Sequence, residues 1–344
     1  MSSTKFFTII GLSLLLWSCG DTKNAKTSSF SITTNAKNNT IALGETLNLS
    51  VNNPKNKTIN SISYKIGTVS VKENAEIKNL PLGEHILTAV VNYDNSSEEI
   101  TTKLTILNDV APKIYSYKIL NEYPHDITSY TQGLEFHNGI LYESTGQYGK
   151  SKLRKTDYKT GELLKNIDLG SQYFGEGLTI LNNNIYQLTW KENIGFIYDL
   201  ETFERIGSFN YGKSKEGWGL CNDGKIIYKT DGTNKIWTLN PTTLAEENFV
   251  EVYTNTGKID NLNELEYIEG KIYANIYQRN GVLIIDPKSG AVEGVIDFSP
   301  LQKLVTQHPN LDVLNGIAYN PTTKTIFVTG KDWDKLFEVE VFEK

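Results

Sequence analysis

One short pattern recurs five times through the C-terminal two thirds of this chain. It reads GLEFHNGILY from Gly133, GLTILNNNIY from Gly177, GLCNDGKIIY from Gly219 and ELEYIEGKIY from Glu264. A fifth, longer version, GIAYNPTTKTIF, starts at Gly316. The starts are 44, 42, 45 and 52 residues apart, and the last interval carries an insertion around Leu301–Pro309. Each line is a strand, a tight Asn/Gly/Asp turn and a second strand, which is the signal of a β-hairpin. Strand-only units with a period in the forties predict propeller blades rather than a helical solenoid. Five of them, from residue 113 to 344, predict a five-bladed β-propeller. Leu336–Phe342 reads as the third strand of the last blade and Ile114–Leu120 as its outer strand, which would close the ring without an exposed edge.

The segment ahead of the repeats, residues 29–108, shows short alternating stretches such as Ile41–Leu49, Ile62–Ile66 and Ile86–Val91. Asn-, Gly- and Pro-rich turns separate them, and about seven such strands predict an Ig-like β-sandwich. It holds no cluster of reactive side chains, so an accessory role is expected, with Asn108–Pro112 as the linker. The whole chain is therefore expected to be all-β, in keeping with 19 Tyr, 13 Phe and 5 Trp. At the N-terminus, Lys5 precedes an apolar run from Phe6 to Trp17. The run is too short to span a membrane and reads as an export signal. It ends in Leu16-Trp17-Ser18-Cys19, which resembles the lipobox of bacterial lipoproteins, although Trp17 is bulkier than usual there. The expectation is a signal peptide over residues 1–18, a lipid on Cys19 and a polar tether over 19–28. The protein would then be exported and held to the cell envelope, periplasmic or outer-membrane, through that lipid and no other membrane contact.

Several chemistries are disfavoured. The net charge of −6 leaves no electrostatic footprint for nucleic acid. Cys19 and Cys221 are the only cysteines, and His85, His125, His137 and His308 are scattered without metal-site spacing. No metal or other cofactor is expected. No GxSxG occurs, and the Gly-x-Gly pairs at 175/177 and 217/219 open strands rather than helices, so a phosphate cradle is not implied. Cys221 lies in an apolar strand, as a small hydrophobe would.

Equivalent positions of a propeller lie at equivalent heights around its axis. The residue before each repeat start is Gln132, Glu176, Trp218, Asn263 or Asn315. Four residues past each final aromatic stand Gly146, Trp190, Gly232, Tyr277 and Lys331. A hairpin returns to the end where it began, so both rings belong to one mouth. Together they describe a pocket with one carboxylate, one ammonium, several amides and three large aromatics. Any one of these residues is more often packing or a turn cap. Polar side chains at four of five equivalent buried positions are costly without a purpose.

At these residues the chain resembles the plant and bacterial glutaminyl cyclases. The matching stretches include YTQGL (Tyr130–Leu134), ESTGQYGKSKLR (Glu143–Arg154), YFGEGLT (Tyr173–Thr179) and YQLTW (Tyr186–Trp190). They continue through GWGL (Gly217–Leu220), LNELEYIEGKIYANI (Leu262–Ile276), DVLNGIAY (Asp312–Tyr319) and VTGKDW (Val328–Trp333). They run in order from about Tyr117 to Val341 and leave out the N-terminal segment. The resemblance implies conversion of N-terminal glutamine to pyroglutamate with release of ammonia, without the zinc of the animal cyclases. It places the essential glutamate on Glu176 and other pocket residues on Gln132, Trp190, Trp218, Asn263 and Lys331. Tyr130 stands where Phe is usual and Tyr277 where Trp is expected, which bears on substrate preference more than on the reaction. Glu176 is then expected to shuttle a proton and Lys331 to stabilise an oxyanion, with N-terminal glutamine peptides as the partners of a monomeric enzyme.

Two other readings compete. A calcium-dependent lactonase would use Glu176, Asn263 and Asn315 as oxygen ligands, but Lys331 opposes a divalent cation and Trp218 takes a ligand's place. A non-catalytic lectin or peptide-binding module would use the same aromatic mouth and release no ammonia.

Overall fold

The computed structural model describes residues 28–344, so the expected signal peptide, Cys19 and nearly all of the tether lie outside the described residues. The chain is all-β: 28 strands and one short 3-10 helix, Ser299–Lys303, are its elements among the described residues. No helix there is long and apolar enough to cross a membrane.

The N-terminal segment forms two sheets around one core. The first orders Ser31–Thr34, Thr46–Asn52 and Asn74–Glu76. The second orders Thr40–Ala42, Ser96–Leu107, Gly83–Tyr93, Ile59–Ile66 and Val69–Val71. Leu47 and Leu49, alternate residues of one strand, meet Ile66, Leu87, Leu104 and Ile106 of the other sheet. Gly83–Tyr93 and Ser96–Leu107 run for 11 and 12 residues, well beyond the stretch Ile86–Val91 that alternation marks. Ser96–Leu107 buries Ile100, Leu104 and Ile106 between mostly polar residues, so its apolar pattern is too sparse to mark the strand.

Each repeat line opens a four-stranded antiparallel unit. The first consists of Thr131–His137, Ile140–Thr145, Lys152–Thr156 and Leu163–Asp168, in sequence order across the sheet. The second starts with Gly175–Leu181, the third with Leu220–Asn222, the fourth with Leu262–Ile268 and the fifth with Leu314–Asn320. The fifth unit has only three strands of its own. Its fourth is Lys113–Pro124, which pairs antiparallel with Lys335–Glu343. The same strand pairs in parallel with Val292–Asp297 of unit four and fuses the two into one eight-stranded sheet.

The first strands lie against one another in cyclic order, the fifth returning to the first. Their backbones come so close that a side chain would not fit. A Cβ on Gly133 would stand 2.5 Å from the Leu178 nitrogen, and one on Gly177 would stand 2.6 Å from that of Leu220. The glycine that opens the repeat is therefore a requirement of close backbone approach. Unit four lacks it. There Glu264 reaches across, accepting the backbone N–H of Leu134 at 3.3 Å and of Ile317 at 3.0 Å.

Candidate active site

The site begins with a shared irregularity. In units one, two, four and five the pairing of the first two strands slips just after the strand starts. The slips lie between Thr131 and Gly133, Gly175 and Leu178, Leu262 and Leu265, and Leu314 and Ile317. Inside them sit Gln132, Glu176, Asn263 and Asn315. A bulge leaves its extra residue out of the ladder and re-aims its side chain. In unit three the strand starts only at Leu220, and Trp218 precedes it in the loop. The second set reaches the same end of the sheets. Gly146 donates its N–H to the Tyr130 carbonyl, Trp190 to Phe174, Tyr277 to Asn261 and Lys331 to Val313, at 2.8–3.0 Å.

These residues enclose a cavity of about 210 Å³. Gln132, Glu176, Asn263 and Lys331 supply its polar groups, and all four are buried. Tyr130, Phe174, Trp190, Trp218 and Tyr277 are the half-buried walls. The space is smaller than the roughly 300–1,000 Å³ of drug-sized ligand sites. Asn315 does not line it. It stands one layer back, where its Nδ2 donates to the Thr131 carbonyl at 2.9 Å and to Gln132 Oε1 at 3.0 Å. That contact turns the Gln132 amide so that its Nε2 donates to Glu176 Oε1 at 3.0 Å. The two ring glycines do not leave open space: a Cβ on Gly146 would fall on the Phe174 ring and one on Gly232 on the Trp218 indole.

The unmatched polar atoms define the chemistry. Glu176 Oε2 and Asn263 Oδ1 are buried with no hydrogen-bond partner. Burial pushes the Glu176 carboxyl well above the usual range, opposed by the Lys331 charge and reinforced by Glu216 and Glu192. Burial likewise lowers Lys331, while Glu176, Asp312 and Asp332 hold it up. Glu176 and Lys331 make no ion pair within 4.0 Å among the described residues. The ammonium instead lies 4.6 Å from the Tyr130 ring centroid and 5.3 Å from that of Tyr277. The cavity thus presents two free acceptors and one cation to whatever enters between them.

The sheets that build this pocket match a known family. The glutamine cyclotransferase family model aligns with residues 87–341. The chain belongs to the glutamine cyclotransferase family. It is 40% identical over 238 residues to a glutaminyl-peptide cyclotransferase of Arabidopsis thaliana, covering 68% of this chain and 73% of that one. It also superposes on the crystal structure of Myxococcus xanthus glutaminyl cyclase with a TM-score of 0.63 at 37% identity, over 68% of this chain and 99% of that one.

In this cyclotransferase pocket two contributors escape the repeat-based reading. Phe174 is a wall, and Glu216 holds two others: its Oε2 accepts the indole N–H of Trp190 at 2.8 Å and of Trp218 at 2.9 Å. Both stand two residues before a ring position, as Tyr130 does before Gln132, so the same offset would have found them. Behind Glu216, the fully buried Lys229 donates to its backbone carbonyl at 2.8 Å and pairs with Glu246 at 3.2 Å. Cys221 is a free, buried thiol in an apolar cluster, with burial and nearby carboxylates raising it well above the ordinary range.

Proposed function

We propose that this chain cyclises the N-terminal glutamine of peptides and proteins to pyroglutamate and releases ammonia, with Glu176 as proton shuttle and Lys331 as oxyanion ligand. One observation carries the reading: the pocket's unmatched atoms complement a primary carboxamide. Such a group brings two N–H donors, which suit Glu176 Oε2 and Asn263 Oδ1, and one carbonyl oxygen, which suits the Lys331 ammonium. The small aromatic cavity holds one folded-back side chain, which reduces the entropy lost at ring closure.

The α-amine has a pKa of about 7.7–8.0, so a fair share is neutral at physiological pH. Its nitrogen attacks the side-chain carboxamide carbon, forming the ring C–N bond and placing negative charge on the former carbonyl oxygen beside Lys331. Glu176 takes the proton from the attacking nitrogen and gives it to the amide nitrogen. The C–N bond to that group then breaks and ammonia leaves. The raised Glu176 carboxyl suits both halves of the transfer.

The five cyclically packed units support a five-bladed β-propeller over residues 113–344, and the two-sheet N-terminal unit, 29–108, supports an Ig-like sandwich. The closed ring needs no partner, which favours a monomer. The lipobox-like Leu16–Cys19 supports a signal over 1–18 and a lipid-anchored, exported enzyme with a tether over 19–28. Loss of membrane association in Cys19→Ser tests the anchor.

The reaction is tested by incubating the protein with a glutamine-initiated peptide, measuring ammonia and weighing the product. A peptide lighter by one ammonia, formed in EDTA and lost in Glu176→Gln, supports the reading. Folded protein that releases no ammonia from any such peptide rejects it in favour of a binding module.

A further inference from the structure

The cavity of about 210 Å³ has room for one residue, yet a peptide continues beyond its first. The rest of the chain must leave over the rim. A second cavity, of about 1,000 Å³, shares Tyr130 as a wall with the first. Unit one contributes Gln147, Lys150 and Lys152 to it, and the segment ahead of unit five contributes His308, Asn310 and Asp312. That segment is the insertion that lengthens the last repeat interval. It is firmly built in. Leu301 and Val305 are buried in the core, and Thr306 donates its N–H and hydroxyl to Asp334 at 2.9 and 2.6 Å. His308 Nε2 pairs with the Asp332 carbonyl at 2.8 Å, and Gln302 donates to the Asp312 carbonyl at 3.1 Å. An insertion held this tightly presents a fixed surface to the groove.

We infer that this groove binds the residues that follow the N-terminal glutamine, and that it favours a basic second residue over an acidic one. The inference rests on the cyclase reading above. Its polarity comes from the rim that the two cavities share. Asp312 accepts the Tyr130 hydroxyl at 3.0 Å, and Asp332 is the neighbour of Lys331 in the chain and lines the groove. Among the described residues the Asp332 carboxylate has no hydrogen bond within 3.5 Å and no ion pair within 4.0 Å. Two carboxylates thus stand at this shared rim, and His308, Lys150 and the buried Lys331 offset part of the Asp332 charge. A Lys or Arg side chain supplies a cation to the unpartnered Asp332, whereas a Glu there adds a third carboxylate. Binding energy from such remote contacts is available to the reacting end of the substrate.

The test measures ammonia release by the full chain from glutaminamide and from Gln-Lys-Ala-Ala and Gln-Glu-Ala-Ala amides. The expected result is a kcat/KM about tenfold higher for the lysine tetrapeptide than for glutaminamide, and about tenfold higher than for the glutamate tetrapeptide. Asp332→Asn should shrink the lysine-to-glutamate ratio several-fold. Asparagine tolerates the left-handed backbone at this position, where φ is 59°, and the ratio is internal to one preparation. Lys150→Ala should move the ratio the opposite way. Equal rates for all three substrates, or a ratio that survives Asp332→Asn, would overturn the groove assignment. Absence of ammonia from glutaminamide as well would overturn the cyclase reading beneath it, and that arm tells the two failures apart.

Discussion

Glu176 accepts one side-chain hydrogen bond, from Gln132 Nε2 to its Oε1 at 3.0 Å, and its Oε2 is left buried without a partner. A buried acceptor with nothing to accept is costly unless a ligand completes it. The arrangement leaves one oxygen to fix the carboxyl and the other to exchange a proton. Glu176→Gln keeps the shape and removes the shuttle, so kcat should fall by roughly 10²–10⁴-fold. Asn315→Ala should act through Gln132, whose amide it orients, and lower activity less than Glu176→Gln does. Steady-state kinetics on one glutamine-initiated peptide checks both, and a Glu176→Gln enzyme of wild-type kcat would remove Glu176 from the mechanism.

Lys331 is expected to act twice. Its cation faces the developing oxyanion, and removal of such a group typically costs about 10²–10³-fold in kcat. The same charge holds the Glu176 carboxyl down against burial. The required form of Glu176 is the carboxylate, so activity is lost as pH falls through its raised pKa. Lys331→Met should therefore lower kcat and also move the acid limb of the pH profile to higher pH. Burial lowers Lys331 itself, so the alkaline limb of the wild type should lie below the ordinary lysine range. A variant with reduced kcat and an unmoved acid limb would mean that the two groups do not interact electrostatically.

The parts of the site that were legible in the sequence are those that repetition exposes. Gln132, Glu176, Asn263 and Lys331 share offsets from a repeated line, and the bulge that re-aims the first three recurs with the repeat. Asn315 has the same offset but a different role, because its side chain is drawn to Thr131 and Gln132 of the neighbouring unit. Gly146 and Gly232 were legible as ring positions, but that the Phe174 and Trp218 rings lie against them is a property of the fold. Glu216 shares the offset of Tyr130 and Phe174, which marks its position, but only the folded contact with two indoles shows what it does. The long strands of the N-terminal unit stayed hidden for a simpler reason. In Ser96–Leu107 the first apolar residues, Ile100 and Leu104, stand four apart with polar residues between them, so no close alternation marks the strand.

Glu216 links two walls of the pocket, since one oxygen accepts both indole N–H groups. Glu216→Ala should free Trp190 and Trp218 and raise KM roughly tenfold, about the effect of one lost charged hydrogen bond. Glu216→Gln retains an acceptor and should disturb KM less. It removes a negative charge that raises Glu176, so its acid limb should move to lower pH. Tryptophan fluorescence should change in the alanine variant more than in the glutamine one. Equal KM effects in both variants would argue against the shared hydrogen bond as the positioning device.

The first strands also hold carboxylates that the proposed reaction does not use. Glu135 accepts the Thr179 hydroxyl at 2.7 Å and the Ile180 N–H at 3.1 Å, and has no cation partner within 4.0 Å among the described residues. Burial raises it from 4.5 to about 7, and Glu264 and Glu266 are pushed up for the same reason. A folded-state value above the unfolded one makes the group's contribution to stability fully present below the ordinary glutamate range. It is lost as pH rises through the folded value. For Glu135 that loss takes place as pH rises from the ordinary glutamate range toward about 7. Glu135→Gln cannot ionise, so its unfolding free energy should vary less with pH over that window than the wild type's. At acid pH the variant should be weaker by about 1 kcal/mol, because an amide has one acceptor oxygen in place of two. Denaturant unfolding on both sides of the window checks this, and an equal pH dependence in both proteins would place the titrating group elsewhere.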